Sequence, residues 1–122
     1  MIVFDTGALI ALERRKQRAV QIWMTARRDK MDIVVPGAVI AEWWRERTDV
    51  REKIVAGIII EPVGDRLGRA AGEAIAGTPG ATVVDAIVMA LAARLGAPVF
   101  TSDVDDLENL RGFFPGVRVL AI

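Results

Sequence analysis

Short apolar runs alternate along this chain with longer amphipathic stretches. Residues 1–4, 33–35, 58–60, 98–101 and 117–122 are brief and rich in β-branched or aromatic side chains, as in Ile33-Val34-Val35 and Ile58-Ile59-Ile60. Runs of that length and composition read as buried strands. Between them, residues 8–12, 13–30, 37–47, 49–56, 65–76, 83–95 and 104–110 have helical composition or spacing. The 13–30 stretch is either a second helix or the first one continued after a break. The punctuation agrees. Asp5 or Thr6 caps the first helix, Pro36 suits the first turn of the third, and Thr48 or Asp49 opens the fourth, which Gly57 stops. Thr82 and Gly96 bracket 83–95. Strands and helices that alternate throughout predict an α/β fold, three-layer α/β/α, with a mostly parallel central sheet of Rossmann-like topology and a single domain over residues 1–122.

Two stretches depart from simple amphipathicity. Residues 83–95 are apolar on nearly every side, which marks a buried helix. One carboxylate, Asp85, sits near its start. A carboxylate there is costly unless it caps the helix, pairs with a cation or binds a metal. In 65–76, Gly64, Gly68 and Gly72 recur every four residues and share a face. Glycine weakens a helix, so the stripe predicts close approach by another element. Its spacing is not that of a dinucleotide fingerprint.

Composition narrows the chemistry. The chain has 122 residues, 52% of them hydrophobic, and neither Cys nor His nor Tyr. That removes disulfides, thiolate nucleophiles, thiolate metal sites and the commonest general base. What remains is carboxylates, hydroxyls, Lys and Arg. Carboxylate sites suit hard ions such as Mg²⁺ and Mn²⁺. Net charge is zero, yet residues 1–53 carry eleven Lys and Arg against eight Asp and Glu, and residues 54–122 carry five against eight. A basic half beside acidic chemistry fits a phosphate-bearing polymer as substrate, although ordinary surface decoration gives the same count. No apolar run is long enough to span a membrane and no secretory signal opens the chain, so a cytoplasmic location without membrane association is expected.

Four carboxylates stand where an α/β sheet builds its sites. Asp5 follows the first strand and Asp103 the fourth. If those strands are neighbours at the switch point of the sheet, the two side chains face one crevice. Asp85 and Glu42 are each the odd polar residue in an apolar helix. Taken singly, Asp5 reads as a helix cap, Glu42 as a solvated side chain, and the Asp103, Asp105, Asp106 cluster as first-turn acids that favour a helix dipole. Together they repel one another, and a divalent cation reverses that penalty.

These motifs resemble the PIN domain family. Asp5-Thr6-Gly7-Ala8-Leu9 after the first strand resembles its opening. Ala41-Glu42-Trp43, Val84-Asp85-Ala86-Ile87 and Thr101-Ser102-Asp103 resemble its other acidic motifs, in the same order over nearly the whole chain. The length resembles the VapC-type ribonuclease toxins of prokaryotic toxin–antitoxin pairs. The resemblance implies a Mg²⁺- or Mn²⁺-dependent endoribonuclease with Asp5, Glu42, Asp85 and Asp103 as both catalytic and metal-binding residues. It also implies a further acid, for which Asp105 and Asp106 compete, and Thr6, Thr101 and Ser102 as auxiliary hydroxyls. The implied partners are an RNA substrate (tRNA, rRNA or mRNA), a cognate antitoxin and a second copy of the chain in a homodimer. Arg14, Arg15, Lys16, Arg18, Arg27, Arg28, Arg45 and Arg47 are candidates for holding RNA phosphates.

Other readings share some of these features. A phospho-acceptor receiver domain wants paired acids after strand one and a Lys after a later strand, but Thr6 follows Asp5. A dehalogenase-type phosphatase wants Asp-x-Asp, but residue 7 is Gly. A non-catalytic module that keeps the PIN fold is the remaining alternative. The three tryptophans read as core or interface residues rather than base-stacking platforms.

Overall fold

A computed structural model describes all 122 residues. Five strands form one sheet in the order β3-β2-β1-β4-β5, and every pairing is parallel. The strands are β1 (Ile2–Phe4), β2 (Ile33–Pro36), β3 (Ile59–Glu61), β4 (Val99–Thr101) and β5 (Val119–Ala121). The helices are α1 (Thr6–Glu13), α2 (Gln17–Arg28), α3 (Gly37–Trp43), α4 (Asp49–Ala56), α5 (Asp65–Ala76), α6 (Val83–Leu95) and α7 (Val104–Glu108), the last continued by a 3-10 turn over Asn109–Gly112. From β1 the chain adds β2 and β3 on one side, then crosses to add β4 and β5 on the other. The switch point therefore lies between β1 and β4, as the α/β reading requires.

The buried helix anticipated at 83–95 is α6. Every residue from Ala86 to Ala92 is buried. It packs against β1, β2 and β4 on its inner side and against α5 on its outer side. A helix enclosed by neighbours has no use for a polar face, which explains its composition. Thr82 Oγ1 accepts from the Asp85 backbone N–H at 3.2 Å to start it, and Gly96 at φ 63 ends it in the left-handed conformation that suits glycine. Cutting Leu91, which is wholly buried, to Ala would cost about 2–5 kcal/mol through lost burial and the cavity left behind. On the other side of the sheet, α1 lies over β1 and β4 and touches α2 and α4. Helix α3 contacts both α1 and α6.

The 13–30 stretch is a second helix after a break: residues 14–16 form a turn, with Arg15 at φ 57, before α2 begins at Gln17. Two expectations need correction. The third helix ends at Trp43, not at 47, because Trp44 leaves the helical region at ψ 80. Nor do Gly64, Gly68 and Gly72 admit a neighbour. A side chain at any of them would meet open space. Leu67, Ala71 and Ala74 form the buried face of α5, and the glycines lie off that face. The helix is held by its packing on α6 rather than by propensity.

Candidate active site

Asp5 leaves the carboxyl end of β1 and enters α1 as its N-cap, where its Oδ1 accepts from the Ala8 backbone N–H at 2.8 Å. The cap reading is correct as far as it goes, but it does not account for the burial. Asp5 is only 6% exposed, and no cation of the chain pairs with it. Burial first, then the nearby Asp85 and Asp103 carboxylates, push its carboxyl up to about 6. The Thr101 hydroxyl and the hydrogen bond from Ala8 oppose that rise without cancelling it.

Thr101, fully buried at the end of β4, stands beside two acids. Its hydroxyl is near enough to Asp5 to oppose the rise of that carboxyl, and it accepts from the Asp103 backbone N–H at 2.9 Å. Asp103 then caps α7 by position, although its side chain makes no capping hydrogen bond. Ser102 lies against α1, and a side chain at Gly7 would collide with Ser102 Oγ. Glycine at position 7 lets the β4–α7 turn approach the start of α1.

Asp85 is in the first turn of α6, with a hydrogen bond to Thr82. Partial burial, then Glu42 and Asp103, raise its carboxyl above the ordinary range. Glu42 projects from the last turn of α3, and Thr6 Oγ1 donates to its Oε1 at 2.5 Å. Asp106 is also raised, chiefly by its proximity to Asp103. Asp105 acts on Asp106 only through its charge. Of the two candidates for a further acid, Asp106 is the one turned to the cluster.

Seven ion pairs form in the chain, and none uses Asp5, Glu42, Asp85, Asp103, Asp105 or Asp106. The acids meet without a cation to balance them. No three carboxylates stand ready-made as a metal cage. An all-oxygen set in which Asp5 and Asp85 are raised and no internal counter-charge is present fits a hard divalent cation. Asp5, Asp85, Asp103 and Glu42 would hold it, with Asp106 beside them.

The basic candidates are dispersed. Arg14, Arg15 and Lys16 fill the turn beyond the far end of α1, about 12 Å along the helix from Asp5. Arg18 stands on the first turn of α2. Arg27 lies over the Trp23 ring, Arg28 pairs with Asp29, and Arg47 pairs with Asp49 and Glu52. Arg45 is the one that adjoins the acids, donating from Nε to the Glu42 carbonyl at 2.9 Å.

Sequence reasoning missed Glu13. Its carboxylate accepts from Arg51 at 2.8 and 3.3 Å and from Trp43 Nε1 at 3.0 Å, joining α1, α3 and α4. Nothing in the spacing of residues 13, 43 and 51 signals this. Trp43 is buried and Trp44 half-buried, their rings edge to face at 6.0 Å.

The PIN domain family model matches residues 2–112. The chain belongs to the PIN domain family. Solved structures agree in fold. VapBC2 from Rickettsia felis, bound to a DNA fragment from its promoter, superposes with a TM-score of 0.76 at 12% identity, covering 100% of this chain and 99% of that one. A toxin–antitoxin complex from Klebsiella pneumoniae gives 0.69 at 16% identity over 96% and 95%. FitAcB from Neisseria gonorrhoeae gives 0.60 at 18% identity over 98% and 96%. A sequence search of curated proteins gives no match. No helix of this PIN domain is long and apolar enough to cross a membrane.

Proposed function

We propose that this PIN domain is a Mg²⁺- or Mn²⁺-dependent endoribonuclease, the toxin of a toxin–antitoxin pair acting in the cytoplasm. What supports this reading is that Asp5, Glu42, Asp85 and Asp103, from four separate elements, lie near enough for Asp85 and Asp103 to raise Asp5 and for Glu42 and Asp103 to raise Asp85, with no basic partner. A divalent ion held there supplies activation of water and neutralisation of charge at the phosphodiester. The chain's own residues do the rest. Thr101, beside Asp5, holds the Asp103 backbone through its hydroxyl. Thr6 orients Glu42. Arg45, anchored beside Glu42, is placed to hold a phosphate of the substrate.

Two surfaces support the implied partners. A groove of about 420 Å³ between α2 and α4 has an apolar floor that includes Leu12, Val20, Trp23 and Ile54, with Arg15, Arg27 and Lys53 at its rim. It suits a segment of an antitoxin. On the edge strand β3, Ile59 and Ile60 are exposed, as is Val63 beyond it. They offer apolar surface for a second copy.

The test is cleavage of total tRNA and rRNA with purified protein, with Mg²⁺, with Mn²⁺ and with chelator. Cleavage that needs metal and disappears in Asp5→Asn is expected. Undiminished cleavage in chelator would overturn the mechanism. Metal binding without cleavage of any RNA would identify a binding module instead.

A further inference from the structure

Parallel sheets are ordinarily covered on both faces, but this one is covered incompletely toward β5. The paired registers put Phe100 and Leu120 side by side on one face of β4 and β5. Both are only half-buried. Helix α2 runs past them and leaves a groove of about 590 Å³, with Ile22 and Ala26 as its other wall. Arg18 on α2 and Arg118 just before β5 also line it.

The charge in this groove is unbalanced. No acidic side chain lines it, and neither arginine joins any of the seven ion pairs. Elsewhere Arg28, Arg47, Arg51, Arg69, Arg94 and Arg111 are each matched to a carboxylate, while Arg14, Arg15, Arg27, Arg45 and Arg66, like the two groove arginines, join no ion pair. What sets the groove apart is that its two free arginines flank an apolar floor with no acid on it. The groove also includes Ile2 and Pro98, at the amino ends of β1 and β4. The carboxylates Asp5 and Asp103 follow the carboxyl ends of the same two strands.

We propose that this groove binds an amphipathic peptide segment of a protein partner, with apolar side chains laid on Phe100 and Leu120 and carboxylates on Arg18 and Arg118. Packing of this groove on the same groove of a second copy would bring the unpaired arginines of both copies into one interface with no acid from either groove. A single RNA strand is favoured by several exposed aromatic faces along a basic track, and here Phe100 is the sole aromatic. An apolar floor with two separated cations matches an acid-bearing amphipathic segment, the groove-docking mode of recognition. This assignment does not depend on the nuclease reading.

The test is selection of a displayed random-peptide library on the full chain, followed by affinity measurement of the enriched peptides. A class combining large apolar residues with Asp or Glu is expected. Its affinity should fall at least about tenfold in Arg18→Glu and in Arg118→Glu, and should weaken in high salt. Both substitutions are on exposed side chains, so thermal unfolding should report an intact fold. Leu120→Gln tests the floor separately. Enriched peptides without acids would overturn the proposal. So would acid-bearing peptides that respond only to Lys53→Glu in the other groove, or groove substitutions that change only RNA binding or self-association.

Discussion

The two ends of α1 treat a carboxylate in opposite ways. At its C-terminus Glu13 meets Arg51 and the Trp43 indole, and its carboxyl is held below the ordinary range, chiefly by the Arg51 hydrogen bonds. At its N-terminus Asp5 is more deeply buried, faces other acids and is pushed up to about 6. A helix dipole would by itself favour the reverse, since it stabilises negative charge at the N-terminus. Desolvation and neighbouring charge outweigh it. Glu13 is an acid that the fold satisfies, whereas the fold leaves Asp5 short of positive charge. That shortfall distinguishes a site from a structural ion pair.

The largest expected effect on this contrast comes from Asp5→Asn. Metal-dependent RNA cleavage should fall by on the order of 10²–10³-fold, as when a group that stabilises transition-state charge is removed. In the same variant the metal-free protein should be more stable at pH 7, by up to about 3 kcal/mol, because the amide carries no charge to desolvate. Paired cleavage assays and denaturant melts measure both. A variant that is inactive and also less stable would place Asp5 with Glu13 as a structural acid.

The pH dependence follows with a definite sign. Asp5 holds its proton more tightly folded than unfolded. As pH rises from about 3.8 through about 6, the unfolded chain ionises first and gains relative to the native state. The stability difference between the natural chain and Asp5→Asn, measured in chelator, should therefore widen across that interval and level off above it. Saturating Mg²⁺ should remove the difference or reverse its sign.

Glu13→Gln tests the other end of the helix. It should lower Tm by about 3–6 °C, since a charge-assisted cluster joining three helices is weakened. Mg²⁺ affinity should stay unchanged by calorimetric titration. The smallest and sharpest contrast is between adjacent residues. Asp106→Asn should weaken Mg²⁺ binding by about tenfold and Asp105→Asn by less than about threefold, because Asp106 is the one raised by its proximity to Asp103 and Asp85. Equal effects would mean that the shared charge of the turn matters and the contact does not.

Much of the fold was legible in the chain because its signals are local. Strand runs, the caps at Asp5, Thr48 and Thr82, the Gly96 stop and the all-round apolar character of α6 depend on residues within a few positions of one another. They gave the alternation of elements and its parallel-sheet consequence, put Asp5 and Asp103 just after strands, and marked Glu42 and Asp85 as odd polar residues in apolar helices. Tertiary packing decided the rest, because contact energies depend on neighbours distant in sequence. It joined Glu13 to Arg51 and Trp43, left the α5 glycines facing open space and turned Asp106 rather than Asp105 toward the acids. It also set β1 beside β4, so that the buried Asp5 and the exposed Asp103, remote along the chain, stand together at one cation-poor end of the sheet.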